Sequence, residues 1–154
     1  MRILSLLFIF SFLVHPSIFA QASEEEAVQK TIEAFFEAFH QQDSILIKQT
    51  VSEDIILQTI GKNREGETRM RTDEFSDLIK SIVSIPDTTD FQEKILSFNI
   101  QVDGAMANAW TPYEFWINGN FSHCGVNSFQ LFKDGDAWKI IYLVDTRRRE
   151  GCHK

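Results

Sequence analysis

Two dipeptides, Asn118-Gly119 and Asp134-Gly135, constrain this chain more than any other feature. Both suit the positive φ of two-residue hairpin turns. They separate three strand-like runs, WTPYEFWI, FSHCGVNSFQLF and AWKIIYLVDT. Taken as two-residue turns, they set Ile117 opposite Asn120 and Lys133 opposite Asp136. Side chains alternate along a strand with a period of two, so Glu114, His123 and Thr146 form one row across the sheet. Trp110, Asn127 and Tyr142 form the next. Pro112, Gly125 and Val144 lie between these rows, and the missing side chain of Gly125 leaves the centre of this face hollow. Trp116 with Phe121, Phe129 with Ile140, and Leu131 with Trp138 complete a largely aromatic surface holding few polar groups, the make-up of a small-molecule pocket. The opposite face carries Tyr113, Phe115, Cys124, Val126, Ser128, Gln130, Phe132, Lys139, Ile141, Leu143 and Asp145. It is too apolar to be simply wet and too polar to be a full core, so it is expected to be a sheet-to-sheet dimer face.

A chain of 154 residues, 44% hydrophobic and with 14 Phe, forms one domain with a real core. Its first segment reads as something else. Arg2, the apolar run ILSLLFIFSFLV, Pro16 and the small-residue pattern Ala20-Gln21-Ala22 make residues 1–22 a secretory signal peptide, with cleavage expected after Ala22. The domain is then 23–154, secreted or periplasmic. No later run approaches the roughly 20 apolar residues of a membrane span, so no membrane partner is expected after cleavage. The formal net charge of −7 becomes −8 on loss of Arg2, which argues against a nucleic-acid partner. Arg147-Arg148-Arg149 is the one basic cluster, a solvated end of the last strand or, in a sharper reading, an anion clamp at the cavity mouth. Cys124 and Cys152 would meet an oxidising compartment. The register sets Cys124 opposite Tyr113 and Asp145, and a bridge to Cys152, which needs the tail to fold back over the sheet, stays open. No Cys/His spacing resembles a zinc site, and neither metal nor cofactor is expected.

Upstream, Ser23 and Glu26 form a capping box for an amphipathic helix with Val28, Ile32, Phe35, Phe36 and Phe39 on one stripe. That stripe is expected to be core more than cavity lining. Asp43 and Ser44 cap a second short helix, SILIKQTV. Glu53 to Ile60 reads as a strand, GKNREGETRMRT as a loop, and Thr72 as the cap of a helix with Phe75, Leu78, Ile79, Ile82 and Val83 inward, ended by Pro86. Phe91 to Val102 alternates as one long strand turning at Asp103-Gly104. A plain turn there would oppose Glu93 to Glu114, which is unfavourable unless one is protonated. A bulge that shifts the register is the better expectation.

The order helix, short helix, strand, helix, antiparallel meander resembles the nuclear transport factor 2-like fold, an α+β cone whose strongly curved antiparallel sheet wraps around N-terminal helices. Ala109-Trp110, Tyr113-x-Phe115, Asn118-Gly119, Phe121-Ser-His-Cys-Gly125, Phe129-Gln-Leu131, Asp134-Gly135, Trp138-Lys-Ile140 and Asp145-Thr146 carry a closer resemblance to its secreted lumazine-binding-like branch. The resemblance implies a homodimer built through the convex sheet. It specifies activity poorly, because related folds host isomerases, cyclases, dehydratases and non-catalytic binders. Ketosteroid isomerase-like members use an acidic base and a Tyr or acid donor, for which Glu93, Glu114 and Tyr142 are candidates by depth.

Three functions follow. The first is an exported binder of a small apolar or aromatic molecule held by Trp110, Trp116, Asn127, Tyr142 and Phe129. The second is an acid/base enzyme using His123 and Glu114 as catalytic residues, the carboxylate fixing the imidazole tautomer. The third is a structural or adaptor domain acting through its convex face. The aromatic lining favours the binder.

Overall fold

The computed structural model describes residues 17–152, with side chains described from Ser23 onward. Most of the expected signal peptide therefore lies outside the described residues. Helix α1 spans Ser17–His40, so in the intact chain Ser23 sits within a helix rather than at its start. Helix α2, Ser44–Thr50, begins where expected, because the Asp43 carboxylate accepts from the Ile45 and Leu46 amides at 2.9 and 3.0 Å. Helix α3, Phe75–Val83, buries Ile79 and Ile82 but starts after Glu74, without a side-chain cap. Thr72 instead belongs to a strand. The polar stretch read as a loop is a hairpin, in which β1, Val51–Lys62, pairs antiparallel with β2, Thr68–Asp73. The turn is held by Asn63, whose side chain accepts from the Glu65 and Glu67 amides, and by Gly66 at φ 82°. As the last strand of the sheet β2 buries no residue, so its sequence carries no apolar period.

The long strand expected over 91–102 is broken into β3, Phe91–Ile95, and β4, Asn99–Asp103, both antiparallel to β5, Met106–Ile117. Strands β6, Asn120–Asp134, and β7, Ala137–Thr146, complete the meander. The sheet order is β2-β1-β7-β6-β5-β3, with β4 also on β5, and the β1–β7 pair is parallel. The architecture is thus α+β, a curved, unclosed mixed sheet with α1 against β3, β4 and β7 and the shorter helices against β1. Val28, Ile32, Phe35 and Phe36 meet Ala107, Ala109, Phe129, Leu131 and Ile140 in one core. Glu24 ties the helix to the far hairpin by accepting from Trp138 Nε1 at 3.0 Å and pairing with Lys133.

Both hairpin turns exist, but the register between them does not stay plain. Asn118 and Gly119 take φ 49° and 72°, and Ile117 pairs with Asn120 as expected. One step later the ladder slips. Trp116 still faces Phe121, but Phe115 faces His123, so Ser122 is the extra residue of a bulge. In the next hairpin Gly135-Asp136 form the turn, which sets Asp134 opposite Ala137 rather than Lys133 opposite Asp136. A second slip leaves Ile141 extra between the Leu131–Ile140 and Gln130–Tyr142 pairs. Because the side-chain period is two, each bulge exchanges the faces of all residues beyond it. The expected row of Glu114, His123 and Thr146 is therefore broken. Glu114 pairs with Cys124, and Thr146 donates no cavity group but accepts the Val126 amide on its hydroxyl.

Gly125 shows how tightly the end of β7 crosses β6. A Cβ on it would lie 1.7 Å from the Thr146 carbonyl oxygen and 2.7 Å from Tyr113 Cε1. Beyond β7 the chain continues along β6 through mutual backbone bonds of Cys124 and Arg148, and Cys124 is disulfide-bonded to Cys152. The tail does fold back. The hollow expected from the missing Gly125 side chain is not there, because the Thr146 backbone and the Tyr113 ring fill that space. A separate recess of about 190 Å³ lies between Trp110, Pro112, Glu114 and Arg148.

Candidate functional site

The concave face encloses a cavity of about 480 Å³. Its apolar wall comes from the α1 stripe, Phe35, Phe36 and Phe39, with Leu57, Leu78, Ile82, Phe115 and Leu143. The stripe therefore serves as core and lining at once. Phe36, Phe39, Phe91 and Phe115 meet in edge-to-face or stacked contacts that hold the wall rigid.

The polar end is built by β1, β3, β5, β6 and β7. Asp145, which β7 turns inward after its bulge, accepts three hydrogen bonds. Thr59 Oγ1 donates to its Oδ1 at 2.5 Å, and Arg147 Nε donates to its Oδ2 at 2.7 Å. The Tyr113 hydroxyl, 3.2 Å from Asp145 Oδ2 and 3.0 Å from the Thr146 carbonyl, has one proton for these two acceptors. Desolvation, with the carboxylates of Asp145 and Glu93 nearby, raises the Tyr113 pKa far above its usual value, so the phenol stays protonated. Burial opposes the charge of Arg147, but Asp145 more than offsets it and the guanidinium's pKa rises.

Glu93 is the most perturbed group that titrates near neutrality. Its Oε1 accepts from Asn127 Nδ2 at 2.7 Å, and its backbone N–H donates to His40 Nε2 at 2.9 Å. Desolvation pushes its pKa up to about 7, the Asn127 bond opposing and Asp145 reinforcing the shift. Its other carboxyl oxygen has no protein partner among the described residues. A carboxyl group in this state can donate or accept a proton at neutral pH. His123 stacks on Phe115 at 5.0 Å and meets Tyr113 edge-on. Burial, then the Arg147 charge, lowers its pKa, so it is neutral at pH 7. Burial likewise lowers that of His40, which keeps Nε2 free to accept.

Of the residues proposed from sequence, His123 and Asn127 line this cavity, and Phe129 is fully buried in the core beside Phe36. Trp110, Trp116, Tyr142 and Glu114 lie off it. Trp110 is 53% exposed on the outer face. Trp116 donates to Glu114 at 3.1 Å and carries Lys94 over its ring, while the Tyr142 hydroxyl bonds Gln58. The expected His123–Glu114 pair is not formed, because the bulge at Ser122 puts its members on opposite faces. Conversely Tyr113, Phe115, Leu143 and Asp145, read as dimer face, line the cavity. The Glu93–Glu114 conflict is resolved in two steps. The turn falls at Gly104-Ala105 rather than Asp103-Gly104, with Asp103 opposite Met106. The break between β3 and β4 shifts the register once more, which sets Glu93 opposite Phe115 and Glu114 opposite Lys94. Tyr113 and Asp145 were missed for want of a sign of either bulge. Arg147 was visible only as one of three arginines.

Neither a family model nor a curated protein matches the sequence. Solved structures match its shape. A nuclear transport factor 2-like superfamily protein from Salmonella enterica serovar Typhimurium aligns with TM-score 0.63 at 16% identity, over 84% of this chain and 94% of its own. A protein with a cystatin-like fold from Nostoc punctiforme gives 0.65 at 14%, over 84% and 94%. A candidate dehydratase of the nuclear transport factor 2-like family from Streptomyces avermitilis gives 0.62 at 14%, over 82% and 97%. The chain has the nuclear transport factor 2-like, cystatin-like cone fold. At such identities this likeness speaks for fold alone.

Proposed function

We propose that the protein is an exported, secreted or periplasmic, small-molecule-binding domain whose cone receives an apolar or aromatic ligand. The observation that carries this is the cavity itself, about 480 Å³ with phenylalanine walls and a hydrogen-bonding end, within the range of drug-sized sites. Export rests on the signal-like residues 1–22 and agrees with the disulfide. A likeness to the lumazine-binding-like branch remains part of this reading and rests on the sequence motifs. A homodimer through the convex sheet is supported by Met106, Trp110 and Phe132, large apolar residues exposed on one outer face.

Native mass spectrometry of the mature protein tests the binding. A co-purified compound is expected with the wild type and absent from Ser81→Trp, which plugs the mouth from an exposed helix position. A wild type that carries nothing, and binds no member of a soluble fragment library by ligand-observed NMR, would remove the reading.

Glu93 favours a second reading, proton transfer at a carbon next to a carbonyl, the chemistry of isomerases and dehydratases. Its pKa of about 7 suits a general acid or base at neutral pH, and it replaces Glu114 and His123 as the residue to test. Deuterium uptake from D2O into a bound ligand, lost in Glu93→Gln, would support it. Exchange no faster than in buffer would leave the binder.

A further inference from the structure

We propose that the ligand of this cavity is an organic anion, its acidic group received by the guanidinium of Arg147 and its apolar body lying along the phenylalanine wall. This rests on the reading of the cavity as a small-molecule site and names the class of molecule it takes.

Arg147 follows Asp145 by two positions at the end of β7 and lines the cavity with it. Asp145 takes only Nε, at 2.7 Å, and so orients the guanidinium while its two terminal nitrogens have no partner among the described residues. That pair of N–H groups forms the planar fork that matches a carboxylate or sulfonate. The backbone cannot drift from this position. Arg147 donates its N–H to the Ile60 carbonyl, Arg148 is bonded to Cys124, and the disulfide closes the segment.

Beyond Asp145, which holds Nε, the remaining charges do not contest the terminal N–H groups of Arg147. Asp145 is engaged by Thr59, Tyr113 and Arg147 together. At the mouth Asp73 is paired with Arg71, and Asp77 with Lys80. Glu93, the last carboxyl in the lining, holds its proton up to about pH 7. His123, Tyr113 and the His40 ring behind Glu93 are neutral there. Around neutral pH Arg147 is the cation of the lining whose terminal N–H groups have no partner among the described residues, its charge being shared with Asp145 through Nε. An incoming anion strengthens proton binding by Glu93, so its affinity falls as pH rises through 7.

Two dyes of one skeleton test this, N-phenyl-1-naphthylamine, which is neutral, and its 8-sulfonate, 8-anilinonaphthalene-1-sulfonate. Each is titrated by fluorescence into the intact mature protein at pH 6 and pH 8. One sulfonate per chain, displaced by the amine, and about tenfold tighter than the amine at pH 6 is expected from one charge-assisted contact. The preference should shrink at pH 8, persist there in Glu93→Gln, vanish in Arg147→Gln and survive in part in Arg147→Lys. Amine binding with no preference for the sulfonate, or a preference that Arg147→Gln does not alter, overturns the anion and leaves the pocket standing. If neither dye binds, the pocket reading falls and the anion with it.

Discussion

At Gly125 the absence of one carbon decides whether two strands can meet. With Thr146 O at 1.7 Å from any added Cβ, and that oxygen part of the backbone, no side-chain motion relieves the clash. Gly125→Ala is expected to cost about 3 kcal/mol or more, at the upper end of overpacking effects, and to loosen Tyr113 and Asp145. Thermal melting checks it, and an unchanged midpoint would show that the strands do not approach this closely. Glu93 makes the opposite kind of demand, since the fold holds it in a place where its charge is unwelcome. Its folded pKa of about 7 lies above the ordinary 4.5, so the native state holds the proton more tightly than the unfolded chain between these values. Stability is fully present below pH 4.5 and falls as pH rises through 7, by about 3 kcal/mol in all. Glu93→Gln should therefore match the wild type at pH 4 and exceed it at pH 8, as read from denaturant midpoints.

Among the elements, the bulges and the tail do most to place chemistry. Ser122 and Ile141 each add one residue, and together they turn His123, Tyr113, Asp145 and Arg147 onto one wall. The tail then returns along β6 and is fastened at Cys124. Closing a segment with a sequence separation of 28 constrains the unfolded chain by about 3 to 4 kcal/mol on chain-entropy grounds. Cys152→Ser should lower the melting midpoint accordingly. It should also speed amide hydrogen exchange at Arg148, whose N–H bonds the Cys124 carbonyl. Exchange that does not change would mean that the strand pairing alone holds the tail.

For the molecule as a whole, the two sides of the sheet have different assignments. The concave side closes on α1 and the cavity, while the convex side exposes Trp110 at 53% and Met106 at 56%. If that side joins two copies, sedimentation of the wild type gives a dimer and Trp110→Glu a monomer, since the like charges repel inside an apolar interface. A wild type that sediments as a monomer would end the dimer proposal. The cavity should be unaffected by this substitution, because Trp110 does not line it.

Local patterns in the sequence determined the fold class and most of the elements, though not β2, whose sequence reads as loop, nor the break between β3 and β4. The Val28, Ile32, Phe35, Phe36 spacing marks α1, Asp43 caps α2, and Asn118-Gly119 closes its hairpin in the expected pairing. These signals are local because helix periods, caps and two-residue turns are set within a few residues. Which face each side chain takes was decided only by the folded sheet. The bulges at Ser122 and Ile141 carry no glycine to mark them, yet one inserted residue reverses everything beyond it. Hence the Glu114–His123 pair dissolves while Glu93, Tyr113, Asp145 and Arg147, distant in the chain, converge. The raised pKa of Glu93 has the same origin, since desolvation depends on what the strands and α1 enclose together.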